Sequence, residues 1–505
     1  MAKVTNDDQP VVHQEPESMI ERSLDPSDWP AFRALSHQML DAALDHVEGI
    51  GERPVWSVVP EDVKQALAEP VPLHPQGTAK VCADLAQLVL PYATGNTHPR
   101  FFGWVHGSGT PSGIIAEMMA AAMNANLGGR DHGAIYVERQ VIAWCRDLFD
   151  FPDTASGLVV SGTSMATFIA LTVARFGKAG YDIRRTGVKP DAGRLVGYTS
   201  TEAHSCIART FDYMGLGQDA LRQVPVDDDY RIDIEALRRV ITEDLEAGNR
   251  PFCVVGAAAT VNTAAIDNLD AIASVCREHD LWFHVDGAFG AVAALSETLS
   301  PRLKGIEKAD SIAFDFHKWM HVQYDAGFVL IRREDLHREA FSLRREYLTA
   351  APRGLAAGNP WFCEYGPELS RGFRALKIWF ALKEHGVNRI VEKVENNCRQ
   401  ALYLAERIEA HSKLELLAPV SLNIVCFRFI VPSTAETEIE ATNREIVMRL
   451  QESGIAAPST TTLNKQFAIR VNITNHRTTR KDIDVLVEAI VDTGEALARP
   501  LTKSL

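Results

Sequence analysis

Residues 309–319 read ADSIAFDFHKW, in which the apolar run 311–316 predicts a buried strand that leads directly to a lysine. Lysine is among the residue types least often buried in folded proteins. Burial among aromatic side chains would lower the pKa of Lys318 by desolvation, which is what a Schiff-base nucleophile requires. A surface lysine whose side chain passes Trp319 to reach solvent fits the same pattern. Lys318 is therefore a candidate nucleophile whose role depends on other residues.

A second apolar run, residues 281–287, reads LWFHVDG and ends in an acid. A buried carboxylate is costly without a partner, and ligands of α/β sheets bind at the carboxyl ends of strands. Asp286 is thus placed where a cofactor would be bound. The alternative is that Asp286 caps a helix that follows the strand.

Two further predicted strands end in polar residues. The stretch 157–175, GLVVSGTSMATFIALTVAR, predicts a strand and then a helix that begins close to Thr163 and Ser164. Free amide groups at a helix N-terminus beside small hydroxyl residues bind phosphate, although ordinary helix capping has the same pattern. The segment has neither a GxGxxG turn nor a P-loop. After the next predicted strand, residues 198–205 read YTSTEAHS, in which His204 either caps a helix or packs flat on a ring.

Together these four strand ends supply what pyridoxal 5′-phosphate (PLP) requires. The cofactor needs a lysine for covalent attachment, a carboxylate beside its pyridine nitrogen, donors around its phosphate and a flat side chain on its ring. The chain offers candidates for these roles in Lys318, Asp286, Thr163 with Ser164, and His204. The combination predicts a PLP enzyme, whereas each element alone has a structural explanation.

The pattern between residues 158 and 316 alternates short apolar strands with helical segments, which is typical of βαβ units around a parallel sheet. Strands are predicted at 158–161, 194–199, 252–257, 281–285 and 311–316, and helices at 164–176, 205–214 and 269–279. Loops are predicted at 98–110 and 355–366, an amphipathic stretch at 373–384, and a long helix from near Asn388. The last 120 residues predict a smaller α+β unit, with strands at 424–430 and 467–473 and helices at 439–452 and 480–497.

The composition excludes several classes of protein. The 505 residues carry a net charge of −14, which argues against binding to a phosphate backbone. The 8 cysteines are scattered without a CxxC pair, which favours buried thiols in a reducing compartment over a disulfide framework or a zinc site. No apolar run is long enough to cross a bilayer, and the first 25 residues do not resemble a signal segment. We therefore expect a cytoplasmic protein that binds neither nucleic acid nor membrane.

With these motifs identified, the chain resembles the group II PLP-dependent decarboxylases, which include the aromatic-L-amino-acid and glutamate decarboxylases. The resemblance runs from about residue 98 to residue 498. The run HVDGAFG at 284–290 is similar to the family's His-Val-Asp-Ala block, and ADSIAFDFHKW is similar to its Asp-Ser…His-Lys-Trp block. The resemblance implies that Lys318 forms the Schiff base, that Asp286 pairs with the pyridine nitrogen and that His204 stacks on the ring.

The resemblance also implies a phosphate site at Thr163, Ser164 and His317, with Asp315 close to it. Asp315 stands where many relatives carry Asn, which leaves its role open. For the proton that replaces CO₂ at Cα the family uses a tyrosine on a mobile loop, and Tyr347 aligns with it. This tyrosine favours simple decarboxylation over oxidative formation of an aldehyde, for which relatives tend to carry Phe. A surface position for Tyr347 is the alternative.

The family's fold, fold type I, implies a large PLP domain with a mixed, mostly parallel seven-stranded sheet and a smaller C-terminal α+β domain. We assign residues 1–90 to an N-terminal helical segment that is flexible in its first part and packs on a dimer partner. Residues 91–385 are assigned to the large domain and 386–505 to the small one. The resemblance implies a homodimer whose subunits share their active sites.

The implied reaction is decarboxylation of an L-amino acid, and the aromatic loop around Trp104 favours an aromatic or related substrate. His106, Arg130 and His132 depart from the family pattern. They are either partners for a substrate carboxylate or polar side chain, or solvated loop residues. The alternatives are an acidic amino-acid decarboxylase, an aldehyde synthase, and another lyase or transaminase of fold type I.

Overall fold

The computed structural model describes residues 23–343 and 351–498. Its helices are α1 (Trp29–Glu48), α2 (Glu61–Ala66), α3 (Thr78–Asp84), α4 (Pro111–Met123), α5 (Gly133–Leu148), α6 (Thr163–Lys178), α7 (Ile183–Thr186), α8 (Cys206–Tyr213), α9 (Ile234–Glu246), α10 (Leu269–Glu278), α11 (Glu334–Phe341), α12 (Ala375–Glu409), α13 (Glu436–Glu452) and α14 (Arg480–Ala498). Its strands are β1 (Phe101–Phe102), β2 (Ser156–Val160), β3 (Leu195–Ser200), β4 (Leu221–Val224), β5 (Arg250–Ala257), β6 (Trp282–Asp286), β7 (Ser311–Asp315), β8 (Gly327–Ile331), β9 (Leu414–Leu416), β10 (Ile424–Phe429), β11 (Ala457–Leu463) and β12 (Gln466–Asn472).

Seven strands form the larger sheet, in the order β2-β8-β7-β6-β5-β3-β4. The strands from β7 to β4 in this order run parallel to one another, whereas β8 is antiparallel to both of its neighbours. Helices α6, α9 and α10 pack against the sheet, and its central strands are buried along their whole length. The predicted α/β fold with a mixed, mostly parallel seven-stranded sheet is confirmed.

A smaller sheet has the order β1-β11-β12-β10-β9, and helices α12, α13 and α14 pack against it. Its first strand comes from the segment 98–110, which was predicted to be a loop. That prediction is wrong for two residues: Phe101 and Phe102 pair in parallel with Ala457 and Pro458, and both side chains are buried. Burial of the two phenylalanine rings against this sheet favours an extended backbone, which pairs with β11.

Two helix boundaries differ from the predictions. The helix predicted at 205–214 spans Cys206–Tyr213 with Ser205 as its N-cap, so His204 lies in the turn before it. The amphipathic stretch predicted at 373–384 and the helix predicted from near Asn388 form one element, α12, in which Gly386 has a φ of 69° and interrupts the helical geometry. The assignment of three domains stays a prediction.

In the parts of the chain that the structure describes, every helix is too short or too polar to span a lipid bilayer.

Candidate active site

A cavity of about 580 Å³ lies at the carboxyl ends of five strands of the larger sheet. Residues that end or directly follow β2, β3, β5, β6 and β7 form most of its walls, as in other α/β sheets that bind ligands at this edge. The segment after β1 and two strands of the smaller sheet complete them. Nine of the sequence-predicted residues line the cavity: Trp104, His106, Thr163, Ser164, His204, Asp286, Asp315, His317 and Lys318.

Lys318 lies in the turn after β7, and its Nζ atom is 2.9 Å from Oδ2 of Asp315. Burial lowers the pKa of this amine, but the charge and hydrogen bond of Asp315, together with the charge of Asp286, outweigh burial. The pKa therefore lies above its usual value. The expectation that desolvation lowers the pKa of Lys318 is wrong for this structure, because that expectation did not include a carboxylate in contact with the amine.

Asp286 ends β6 and is buried, with Oδ1 accepting a hydrogen bond of 3.2 Å from the amide of Ala288. Burial raises the pKa of this carboxyl, while the protonated form of His204 and the charge of Lys318 lower it in part. A cationic ring nitrogen of a ligand would offset the cost of burying this carboxylate, because an opposite charge favours its ionised form.

His204 is exposed in the open cavity, at the position from which its ring can cover a ligand. Its Nδ1 accepts a hydrogen bond of 3.2 Å from the amide of Cys206, so the neutral imidazole carries its proton on Nε2. The protein atoms around the cavity partly desolvate this imidazole and lower its pKa, more strongly than the charge of Asp286 raises it. His204 is therefore a neutral, flat side chain at neutral pH.

The N-terminus of α6 faces the cavity with Thr163 and Ser164. The hydroxyl oxygen Oγ1 of Thr163 is buried and has no hydrogen-bond partner within the protein, although a buried hydroxyl normally has one. An anion at this helix end would supply the partner. The described residues thus fit a cofactor that bears a phosphate, a ring nitrogen and a carbon that accepts an amine.

His317 lies between this helix end and the aromatic part of the cavity. Its Nδ1 accepts a hydrogen bond of 3.0 Å from the amide of Ala326, which leaves the proton of the neutral ring on Nε2. Its ring packs on that of Tyr324, with the ring centroids 4.2 Å apart. The hydrogen bond to Ala326 and the contact with Tyr324 together fix His317, and with it the turn that carries Lys318.

Trp104, His106 and Tyr324 form the part of the wall that we call the aromatic wall. The rings of Trp104 and His106 are stacked with centroids 5.8 Å apart, and Tyr324 meets His106 edge-on at 6.1 Å. Phe101, behind them, stacks on His106 at 5.7 Å. Sequence reasoning missed Tyr324, although its position six residues after the lysine was a signal that it belongs to the same turn.

Arg470, Asn262 and Glu202 also line the cavity, and sequence reasoning gave none of them a role. Every guanidinium nitrogen of Arg470 donates to the protein: to the carbonyls of Val261, Asn262 and Trp104 and to the hydroxyl of Ser459. The amide of Asn262 donates to Glu202 at 2.9 Å. No sequence pattern relates these residues, because the fold brings them together from distant segments.

Three predicted residues are not among the described residues that line the cavity. Arg130 lies over the ring of Trp361, with its Cζ atom 4.3 Å from the centroid, and is not part of the wall. The Nε2 atom of His132 lies 3.3 Å from the carbonyl oxygen of Asn126, and His132 is not part of the cavity wall either. Tyr347 lies outside the described residues. The roles assigned to all three stay predictions.

Comparison with known proteins relates the chain to one family. Residues 60–430 match the pyridoxal-dependent decarboxylase conserved domain. The aromatic-L-amino-acid decarboxylase of Bacillus atrophaeus is 34% identical over 462 residues, which cover 90% of this chain and 93% of the relative. The phenylacetaldehyde synthase of Arabidopsis thaliana is 26% identical over 464 residues, or 89% of this chain and 93% of the relative. The structure of Oryza sativa TDC with PLP and tryptamine has a TM-score of 0.85 and 23% identity, and covers 94% of this chain and 100% of that one.

Proposed function

Because the chain belongs to the family of pyridoxal-dependent decarboxylases, we propose that its substrate is an aromatic L-amino acid or a close relative of one. The protein is a carboxy-lyase that uses PLP and converts an amino acid into an amine and CO₂. When bound, the cofactor supplies an electron sink for the electron pair that remains at Cα after CO₂ leaves.

The roles of the site residues are part of the proposal. Lys318 holds the cofactor covalently, which its position in the cavity supports. Asp286 keeps the ring nitrogen protonated, because a positive charge beside its buried carboxylate offsets the free-energy cost of burying that carboxylate in its ionised form. Thr163 and Ser164 bind the phosphate, and the unpaired Oγ1 of Thr163 supports this.

Two residues act on the reacting carbon and the ring. His204 covers the ring as a neutral imidazole, and its Nε2–H is free to donate to a substrate carboxylate or to a charge that develops there. Tyr347 remains the candidate for the proton that Cα receives, on the basis of the family resemblance alone.

One observation carries the choice of substrate: the aromatic wall lines the cavity, and apart from Lys318, which is assigned to the cofactor, the described lining residues include one lysine or arginine, Arg470. Arg470 is the arginine among the described lining residues, and each of its three guanidinium nitrogens already donates to a carbonyl or hydroxyl of the protein. Glu202 adds a negative charge to the same cavity. An acidic side chain would therefore lie unpaired near a like charge, whereas an aromatic ring would pack on Trp104 and His106.

A substrate screen with product analysis tests this proposal. We expect aromatic amino acids to yield amine and CO₂ in equal amounts, without ammonia or hydrogen peroxide. We expect kcat/KM for glutamate and aspartate to be lower by roughly 10- to 100-fold or more, since an unpaired charge costs at least about 1–3 kcal/mol. Mass spectrometry identifies the amine, and the three small products are measured directly.

Two results would change the assignment. Stoichiometric ammonia and peroxide would identify an aldehyde synthase, the activity that the name of the Arabidopsis relative describes. Equal or higher efficiency with glutamate would reject the aromatic substrate.

We also propose a homodimer. Helix α4 exposes apolar side chains along one face, at helical spacing: Ile115, Met118, Met119 and Met123. None of the residues of α1 is buried, although it carries Trp29, Phe32 and Leu44. Such faces mark contacts with another protein surface, and a second copy is the partner that the family resemblance implies.

A cytoplasmic location is the remaining part of the proposal. The 8 cysteines are free thiols in the structure, and 6 of them are buried. Free buried thiols are usual in a reducing compartment.

A further inference from the structure

Asp315 ends β7 with a carboxylate that three nitrogen atoms surround. Its Oδ1 accepts a hydrogen bond of 2.7 Å from the amide of Thr163. Its Oδ2 lies 2.9 Å from Nζ of Lys318 and 3.6 Å from Nε2 of His317. The side chain is 2% exposed, so water contributes little to its solvation. The carboxylate is therefore held by the protein in one place, in contact with the lysine.

This arrangement does not suit a ligand of the cofactor phosphate. A carboxylate has no proton to donate when ionised, and two anions in contact repel each other. Asp315 also takes up the amide of Thr163, the first residue of α6, which a phosphate would otherwise use. The phosphate would therefore bind donors that do not contact Asp315, which include the hydroxyls of Thr163 and Ser164.

We propose that Asp315 is the counter-ion that holds the ε-ammonium group of Lys318 whenever this lysine is not joined to the cofactor. The inference rests on the proposed attachment of PLP to Lys318. It makes Asp315 a positioning residue. The carboxylate acts through Lys318, because it keeps the amine protonated and holds Nζ beside Oδ2. The amide of Thr163 fixes the carboxylate in turn.

Other groups around the lysine act through space. Asp286 on β6 and Tyr324 in the turn after β7 favour its charged form. The charge of Lys318 in turn acts on groups whose pKa values are set first by desolvation, and it favours their deprotonated forms: His106, His204, Cys206, His317 and Tyr324. Asp315 is the carboxylate in hydrogen-bond contact with Nζ, which is why its removal should change the lysine most.

The test measures how readily Lys318 reacts with acetic anhydride at different pH values, in the full-length protein freed of cofactor. Acetylation needs the neutral amine, so its pH midpoint, followed by mass spectrometry of the Lys318 peptide, reports the protonation of this residue. In Asp315→Asn we expect the midpoint to fall by roughly 1–3 pH units, the usual effect of an opposite charge in contact. An unchanged midpoint in a folded Asp315→Asn protein would overturn the proposal.

Asp310→Asn is the matched control. Asp310 precedes the same strand, is largely buried and accepts a hydrogen bond of 2.8 Å from the amide of Phe283, but it does not line the cavity. We expect the midpoint of Lys318 to stay unchanged in this variant. An equal shift in both variants would mean that loss of a buried carboxylate, rather than loss of the contact, moves the midpoint, and the proposal would fail.

The wild-type protein gives a second reading that does not depend on whether a variant folds. Lys465 is exposed and serves as an internal reference in the same digest. We expect the midpoint of Lys318 to lie above that of Lys465. A midpoint below it would show a lysine governed by burial and would reject Asp315 as its counter-ion.

Binding of PLP and of pyridoxal, which lacks the phosphate, separates the two roles of Asp315. A counter-ion acts on both ligands alike, so Asp315→Asn should keep or increase the preference for PLP. A tenfold or greater loss of that preference would assign Asp315 to the phosphate instead. Borohydride reduction of the wild-type holoenzyme then shows independently whether the cofactor is attached to Lys318, so failure of the proposed function is distinguishable from failure of this inference.

Discussion

Lys318 combines two properties that rarely occur together in one residue: it is largely buried, and it is charged. Burial alone would favour the neutral amine, but the contact with Asp315 reverses the balance. A lysine that must attack a carbon needs to lose a proton first. The proposed attachment of PLP to Lys318 therefore requires that the lysine be released from Asp315 before the amine reacts.

Replacement of Lys318 by Ala should abolish covalent cofactor binding, because no other described lysine lines the cavity. We expect loss of the visible absorbance band of the bound cofactor and a fall in kcat of roughly 10⁴- to 10⁶-fold, as for other covalent nucleophiles. Absorbance and amine production are the measurements.

Lys308→Ala is the control for this variant, since Lys308 lies just before the same strand and pairs with Asp270 at the surface. It should keep both the band and the activity. A band that persists in Lys318→Ala after gel filtration would remove this lysine from its proposed role.

At the level of single residues, the sequence predicted the members of the site that end or follow strands. Lys318, Asp286 and His204 all line one cavity, because the carboxyl ends of neighbouring parallel strands meet at one edge of the sheet. Arg470 and Tyr324 were not predicted to belong to it. Their positions depend on a sheet contact and on a turn conformation, neither of which leaves a periodic pattern.

Among the elements, α5 and the loop before α12 are joined by a buried ion pair. Arg371 donates to both carboxylate oxygens of Glu138 and to the carbonyls of Leu127 and Val159. Glu138 also accepts from the amide of Val159, and both charged side chains are 1% exposed. This pair connects β2 to helix α5, and β2 leads to the proposed phosphate site.

Arg371→Met should destabilise the protein strongly, because it leaves the carboxylate of Glu138 buried without its partner. We expect the free energy of unfolding to fall by roughly 3–5 kcal/mol. Arg449→Met is the control: Arg449 pairs with Glu445 on the exposed face of α13, where loss of the pair costs about 0.5 kcal/mol. Urea titrations followed by circular dichroism measure both, and equal midpoints for the two variants would contradict the expectation.

The sequence predicted the elements with strong patterns better than those without. Strands β5, β6 and β7 are mostly apolar and buried, and they were predicted close to their observed bounds. Strand β11, APSTTTL, has few apolar residues, and β4 is only partly buried, so neither was recognised. In both strands the pairing with a neighbour in the sheet decides the conformation, and local composition does not.

For the whole molecule, the apolar face of α4 gives the homodimer a direct test. Met119 is 49% exposed on this face, and Met448 is 48% exposed on α13, away from it. Met119→Glu places a charge in the proposed interface and should raise the dimer dissociation constant by about tenfold or more. Met448→Glu should leave it unchanged. Light scattering after size-exclusion chromatography gives the masses, and a monomeric wild type would reject the dimer.

Strand β1 ties the wall that carries Trp104 to β11, and the guanidinium of Arg470 donates to the carbonyl of Trp104 at 2.9 Å from a position 366 residues further along the chain. These partners exist together only after β12, which carries Arg470, has been synthesised. The N-terminal part can collapse earlier, since domains form as they emerge, but its pocket lacks a side until β12 has been synthesised. Stable binding of the cofactor therefore has to wait until β11 and β12 have been synthesised and have paired with the segment after β1.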